Sequence, residues 1–323
     1  MTARKCVAIL GAGPAGLSAA LWLHNLGFEP RVLDVADHAG GLQNLNFLAN
    51  EWVLGQPGLA GPALAARFVA HARAAGISLQ TGVRPVRLEG ATGAFRLRLD
   101  DDSILACAAV LVATGTRYRA AEVLAGVPGL AGIPADHIAY GPHAFADLAA
   151  RAGQRVLIVG GGDNAYENAR LLAPTAAHVT LAMRSRPRAQ QGLAADVAAA
   201  VAAGRCRVVY PAVVTALAAG AAGLEVALGV AGNSELVVVD RIHVLAGYQP
   251  NTAFLRELLP PASFAALRLD GQGYLDVDDA GRCGLPGLYA AGDVCNPRFP
   301  SVVSALAQGA VAAKTIEMDT RTP

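Results

Sequence analysis

Two stretches of this 323-residue chain combine glycine spacing with flanking residues in a pattern that can hold phosphate. Gly11-Ala12-Gly13-Pro14-Ala15-Gly16 follows the apolar run Val7–Leu10, and Gly160-Gly161-Gly162-Asp163-Asn164-Ala165 follows Val156–Val159. In the first stretch Gly11 permits a tight strand-to-helix turn. Gly13 lets a pyrophosphate approach the backbone, and Gly16 lets the helix pack closely on the strand. Pro14 suits the first helical position, where its missing N–H would be unsatisfied in any case. A helix opened this way offers free N–H groups and a partial positive charge to an anion.

The two turns lead into strands that end in opposite charge. Asp34 stands eighteen positions beyond Gly16, where a carboxylate binds a ribose diol and repels a 2′-phosphate, so FAD or NAD is favoured there over NADP. The equivalent position beyond Ala165 is Met183, and Arg184, Arg186 and Arg188 come after it. Guanidinium groups at the end of that strand are what a 2′-phosphate needs, because they give bidentate, charge-assisted hydrogen bonds. The second turn is therefore expected to take NADPH. The bland alternatives are an ordinary glycine-rich turn for the first stretch and a solvated basic loop for the arginines.

The elements that position these turns are legible around them. Leu26-Gly27 ends the first helix and Arg31–Asp34 reads as the next strand. The second copy continues through a helix to about Leu172 and a strand from His178 to Met183. Two such βαβ units imply parallel sheets with right-handed crossovers. Phe95–Leu99 and Leu224–Leu228 alternate as half-exposed strands do. Leu105–Thr114 reads as one strand ending in Ala113-Thr114-Gly115, Gly287–Val294 as a buried strand that stops at an acid, and the last helix as running from about Ser301 to Glu317. Crossings between domains are expected near Arg117–Ala120 and Leu245–Asn251. This gives an α/β fold of two Rossmann-like, three-layer domains. Residues 1–117 and 247–323 form one, and residues 118–246 are inserted into it as the other.

Composition narrows the function classes. Hydrophobic residues make up 54% and charged residues 16%, against about 25% charged in an average globular protein, which excludes intrinsic disorder. The net charge of +1 gives no global attraction to nucleic acid or an anionic membrane. Five scattered cysteines (Cys6, Cys107, Cys206, Cys283, Cys295) contain no C-x-x-C and fit neither a disulfide framework nor a zinc site, so a reducing, cytoplasmic setting is expected. Cys6, inside the first strand, reads as a buried small hydrophobe. The basic Met1–Lys5 before apolar Cys6–Leu23 imitates a signal peptide, but the glycine turn accounts for the same residues. Val208–Leu224 is interrupted by Pro211, Gly220 and Gly223 and falls short of the ~20 residues a spanning helix needs.

Taken in order, Gly11–Gly16, Gly40-Gly41, Ala113-Thr114-Gly115, Gly160–Ala165, Gly247-Tyr248-Gln249-Pro250-Asn251-Thr252 and Gly287–Val294 resemble the low-molecular-weight thioredoxin reductase family of two-domain flavoproteins over essentially the whole chain. The resemblance implies that Gly11, Gly13, Pro14, Ala15 and Gly16 hold the FAD pyrophosphate and Asp34 its adenosine ribose. It further implies that Gly292 and Asp293 hold the ribityl chain or pyrophosphate, and that Gln43, beyond Gly41, lies near the flavin-contacting glutamine. Val83, Ala113, Thr114, Gly115 and Gly247 join the implied cofactor positions. A helix opening at Ser301 and Val302 would aim its positive end at the flavin pyrimidine. NADPH falls to Gly160, Gly162, Asp163, Asn164, Ala165, Arg184, Arg186 and Arg188. The resemblance also implies a homodimer.

One departure decides the function. Thioredoxin reductases carry a redox-active C-x-x-C just before the second βαβ unit, and here that stretch, Asp136-His137-Ile138-Ala139-Tyr140-Gly141-Pro142-His143-Ala144-Phe145, holds no cysteine. Disulfide exchange needs one thiolate to attack and a second thiol to resolve the mixed disulfide. Cys295, beyond Asp293, is a candidate redox thiol against a structural one. His137 and His143 are candidate proton donors against ordinary surface histidines. The expected activity is hydride transfer from NADPH to FAD, then one-electron steps to a protein carrier. The dithiol-free relatives that look most similar are ferredoxin/flavodoxin–NADP reductases, whose second turn Gly162-Asp163 matches. A rotation of one domain against the other is expected to bring the two nucleotides together. No side-chain acid or nucleophile and no metal is required. The alternatives are a small-molecule acceptor (a quinone, a thiol compound or dioxygen) and a redox sensor without turnover.

Overall fold

The computed structural model describes residues 4–321, so the first three residues of the basic Met1–Lys5 stretch and the final two residues lie outside them. The glycine turns sit in two matching units. The first is β1 (Cys6–Leu10), α1 (Pro14–Asn25) and β2 (Glu29–Leu33). The second is β3 (Arg155–Val159), α2 (Asp163–Leu172) and β4 (His178–Ala182). The last helix is α3 (Val302–Thr320). The chain divides into two compact units, one running up to Arg117 and resuming at Gln249, the other running from Tyr118 to Tyr248.

In the first unit five parallel strands lie in the order Leu288–Ala290, Ala109–Val112, β1, β2, Ser78–Gln80. Strand alternation splits their side chains between two faces. Val7, Ile9, Val32 and Leu111 pack with Leu17, Ala20 and Leu23 of α1 and with Ala312 and Ile316 of α3. Ala8, Leu10, Leu33, Val110 and Val112 face the other way, onto Leu97 and Leu99 of an antiparallel three-stranded layer. The result is a layer of helices, a parallel sheet and an antiparallel layer. Small residues make the helix layer tight. A Cβ at Gly309 of α3 would lie 2.3 Å from the Ala15 carbonyl of α1, and Ser18 Oγ donates to the Leu306 carbonyl at 2.7 Å.

The inserted unit repeats the plan, with parallel strands in the order Ile138–Tyr140, Arg241–Val244, β3, β4, Cys206–Val209. Val156, Ile158, Val179 and Leu181 meet Ala165, Ala169 and Leu172 of α2. Leu157, Val159 and Ala182 meet Leu217, Val226 and Leu228 of an antiparallel sheet. No described helix is long and apolar enough to cross a membrane.

Three sequence expectations need correction. Leu105–Thr114 is two strands, Ile104–Cys107 and Ala109–Val112, because the chain leaves the antiparallel layer at Ala108 and enters the parallel sheet beside β1. The strand expected over Gly287–Val294 is only Leu288–Ala290, since Gly292 takes a left-handed φ of 82° and turns the chain. Cys6, expected to be buried, is half-buried at the start of β1.

Candidate functional site

In the first turn Gly11 and Gly16 are required by contact. Gly11 has φ 112°, and a Cβ there would lie 2.3 Å from the Ala113 carbonyl. A Cβ at Gly16 would lie 2.0 Å from the Gly11 carbonyl. The turn is thus pressed between β2, whose Leu33 carbonyl accepts from Gly11 N–H at 2.7 Å, and Ala113-Thr114. Gly13 caps α1 with extended backbone and no side-chain hydrogen bond, and Pro14 fills the first helical position. The opening N–H groups of α1 therefore have no side-chain acceptor at the cap.

The other first-unit positions gather around that turn. Asp34 Oδ2 accepts from Ala12 N–H at 2.6 Å and Oδ1 from Ala36 N–H at 2.9 Å. Two further acceptor sites of a carboxylate remain for a ligand. Val83 is tied beside it, its N–H donating to the Asp34 carbonyl at 3.0 Å. Gly41 lies on the turn, a Cβ there falling 3.0 Å from the Gly13 Cα, and Gly40 N–H donates to the Ala12 carbonyl at 2.9 Å. Thr114 and Asn251 exchange hydrogen bonds, Thr114 Oγ1 to the Asn251 carbonyl and Asn251 Nδ2 to the Thr114 carbonyl, both at 2.8 Å. Gly115 follows with φ 63°. A Cβ at Gly292 would fall 2.7 Å from that of Ala15, so the end of strand Leu288–Ala290 also reaches α1.

Two buried polar atoms near these positions have no partner among the described residues: Asp293 Oδ1 and Gln43 Oε1. Burial pushes the Asp293 carboxyl up from 3.8 to about 6. Gln43 sits on the short 3-10 helix Gly41–Leu45. Ser301 caps α3, its Oγ accepting from Ser304 N–H at 3.1 Å, and Val302, the first helical residue, packs on Val53 and Leu64.

The second turn repeats the geometry. Gly160 has φ 154°, and a Cβ there would lie 2.3 Å from the Leu245 carbonyl, whereas a Cβ at Gly162 would meet nothing within 4 Å. Gly162 caps α2 without a side-chain hydrogen bond, and Ala165 is fully buried under the turn. Asp163 at the first helical position accepts from Gln190 N–H at 2.8 Å and Gln190 Nε2 at 2.9 Å. Arg188 N–H donates to the Gly161 carbonyl at 2.8 Å. The arginine loop is therefore fastened to the turn at two points. Arg184, Arg186 and Arg188 are exposed and form no ion pair with a described carboxylate. Met183 is buried against Gly161. Asn164 turns its amide to Tyr248, next to Gly247, whose φ is 60°. Sequence reasoning missed Ala12, Gln190 and Tyr248 as partners of these residues, because each acts through a backbone group or a long-range contact that spacing does not show.

All five cysteines are free, and burial holds every thiol up: Cys6, Cys206 and Cys283 to about 11, Cys107 and Cys295 to about 12. Cys295 Sγ donates to the Gly292 carbonyl at 3.3 Å. None approaches the thiolate form that disulfide exchange needs. The stretch Asp136–Phe145 folds as short 3-10 turns around the strand Ile138–Tyr140. There His143 is exposed and His137 half-buried, with its Nδ1 unpartnered among the described residues.

Two glycine turns of the same geometry stand on a repeated α/β plan, the class of fold that doubly wound, two-unit α/β proteins share. Residues 5–309 match the pyridine nucleotide-disulphide oxidoreductase family, and the chain belongs to it. It is a flavoprotein fold whose members use FAD with NADPH. The chain is 29% identical to the F component of the alkyl hydroperoxide reductase of Xanthomonas campestris pv. phaseoli across 95% of its own length, but it spans only 55% of that protein. It is 27% identical to the thioredoxin reductase of Coxiella burnetii across 96% of this chain and 94% of that one. It is 34% identical to the ferredoxin–NADP reductase of Salinispora tropica across 89% and 85%. Among solved structures, the thioredoxin reductase of T. acidophilum superposes with a TM-score of 0.81 at 27% identity, covering 98% of this chain and 99% of that one.

Proposed function

We propose that this oxidoreductase takes electrons from NADPH through FAD and passes them to an acceptor other than thioredoxin, a ferredoxin or flavodoxin, by a route that uses no dithiol. The observation that carries the reading is a combination. Two uncapped glycine-turn helices stand one beside a carboxylate and one beside three arginines that have no ion pair with a described carboxylate, in a chain whose five cysteines burial keeps protonated. The similarity to a ferredoxin–NADP reductase supports the same acceptor class.

The residues fit the two groups. Gly11, Gly13 and Gly16 keep side chains out of the first turn, so the N terminus of α1 is open to a pyrophosphate. Asp34 would take the adenosine ribose with the acceptor capacity that Ala12 and Ala36 leave. Asp293 Oδ1, unpartnered among the described residues, would accept from a ribityl hydroxyl, and Gln43 Oε1 offers a second acceptor. In the inserted unit Gly162 leaves room for phosphate at the α2 N terminus. Gln190 draws the Asp163 carboxylate aside, which lowers its repulsion of an anion. Arg184, Arg186 and Arg188 would grip a 2′-phosphate. Bound FAD would supply the exchange between a two-electron donor and a one-electron acceptor. The protein's share is binding, orientation and charge, with the positive end of α3 placed by Ser301.

Mixing the purified protein with NADPH and either ferredoxin or flavodoxin tests the reading. Sustained reduction of the carrier is expected. Flavin reduction with no turnover of either carrier rejects the acceptor, and steady quinone reduction or oxygen uptake in that case identifies a small-molecule oxidant instead.

A further inference from the structure

The inserted unit begins at Tyr118 and ends at Tyr248, and these two residues touch. Their ring centroids are 4.7 Å apart at a tilt of 43°, and their phenol oxygens are 3.3 Å apart. The adjoining backbone closes the same neck. Arg119 N–H donates to the Gly247 carbonyl at 3.3 Å, and Thr116–Tyr118 pairs with Tyr248–Pro250 as a two-stranded sheet. A third residue joins from a distance in sequence: Asn164 Nδ2 donates to Tyr248 Oη at 2.7 Å. Asn164 is the second residue of α2 and belongs to the second glycine turn. Tyr248 Oη accepts that N–H and donates its own proton to Tyr118 Oη, so the donor chain runs from the phosphate-type turn to the two ends of the unit.

We propose that Asn164, Tyr248 and Tyr118 form a positioning relay that couples phosphate binding at the second glycine turn to the rigidity of the neck. The proposal rests on reading that turn as the NADPH site. An anion held by the first N–H groups of α2 immobilises the residues that carry them, Asn164 included. A fixed Asn164 amide holds the Tyr248 phenol, and the Tyr118 ring tilted against it is held in turn. Ordering at one site then lowers the cost of ordering at the other, and the coupling is reciprocal: a neck held by the relay binds the nucleotide more tightly by the same factor. Tyr248 and Tyr118 are positioning residues in this scheme, acting through Asn164.

Amide hydrogen exchange on the full-length, flavin-loaded protein with and without NADP⁺ tests this. One neutral hydrogen bond corresponds to an effect of about 3- to 10-fold. In the natural protein, NADP⁺ is expected to slow exchange of the neck amides (residues 116–119, 248 and 249) by that factor. Tyr248→Phe keeps the ring contact and removes the relay oxygen. It should abolish the NADP⁺-dependent part of neck protection and weaken NADP⁺ binding by a similar factor, while exchange in β3 and α2 keeps its response. Tyr118→Phe should give a smaller loss, because its hydrogen bond is the longer one. A Tyr248→Phe protein whose neck responds to NADP⁺ as the natural one does overturns the relay and leaves the nucleotide site standing. A natural protein that binds no NADP⁺ overturns the site reading, and the relay with it.

Discussion

Asp293 gives the sharpest quantitative expectation. Its carboxyl is buried, one oxygen lacks a partner among the described residues, and burial raises it from 3.8 to about 6. Each unit of such a rise corresponds to about 1.4 kcal/mol, so ionised Asp293 costs the folded protein on the order of 3 kcal/mol. Because the group is raised in the folded state, its penalty is absent below about pH 4, grows as pH rises from the unfolded value toward about 6, and is complete above about pH 7. Asp293→Asn removes the charge and keeps the shape. In protein stripped of bound nucleotide, urea unfolding should show Asp293→Asn more stable than the natural protein by about 2–3 kcal/mol at about pH 7.5, with the difference shrinking toward zero near pH 4. Flavin affinity should move the other way, because the carboxylate is the stronger acceptor for a ligand hydroxyl. A stability difference independent of pH, or a less stable Asp293→Asn protein at that neutral pH, refutes the reasoning.

The same geometry sets further expectations. Gly11→Ala places a Cβ 2.3 Å from the Ala113 carbonyl at φ 112°, so it should lose at least about 2 kcal/mol of stability in denaturant unfolding, together with flavin uptake. Replacing Arg186 by Ala should weaken NADPH binding about tenfold and leave NADH binding unchanged in direct titration; equal losses for both cofactors would remove the 2′-phosphate from the argument. Cys295→Ser should leave NADPH-driven flavin reduction unchanged in stopped-flow measurements, since burial holds that thiol up to about 12. Asp319→Asn removes the carboxylate that pairs with Arg282 at 2.7 Å and accepts from Tyr289 Oη at 3.0 Å. It should cost roughly 1 kcal/mol in thermal unfolding near neutral pH. That pairing holds the Asp319 carboxyl below its usual value, so its contribution fades as pH falls through the acid range.

The parts of the site legible in the sequence were those written in local spacing. The glycines, Pro14 and Asp34 belong to one strand–turn–helix–strand unit, and their placement follows from a turn that has little freedom. The position of Arg184, Arg186 and Arg188 was legible for the same reason, because they follow directly on a strand that β3 pairs with as far as Ala182. Contacts across the chain were not legible. The sequence offers no sign that Gln190 takes up the Asp163 carboxylate, that Tyr248 reaches Asn164, or that His243 is buried with Nδ1 2.8 Å from Asn168 Oδ1. Leu105–Thr114 reads as one strand because both halves are apolar; the break at Ala108 arises from a change of sheet, which hydropathy does not encode. Asp293 was visible as an acid after a buried strand, but its missing partner and raised carboxyl depend on what packs around it.

In the proposed reaction, electrons leave the flavin without passing through a disulfide. Anaerobic titration with NADPH, followed by flavin absorbance, counts the reducing equivalents the protein accepts. One equivalent of NADPH per flavin should bleach the spectrum completely, with no new free thiol detected afterwards. A requirement for two equivalents, with two thiols appearing, would show a disulfide in the circuit and contradict the account.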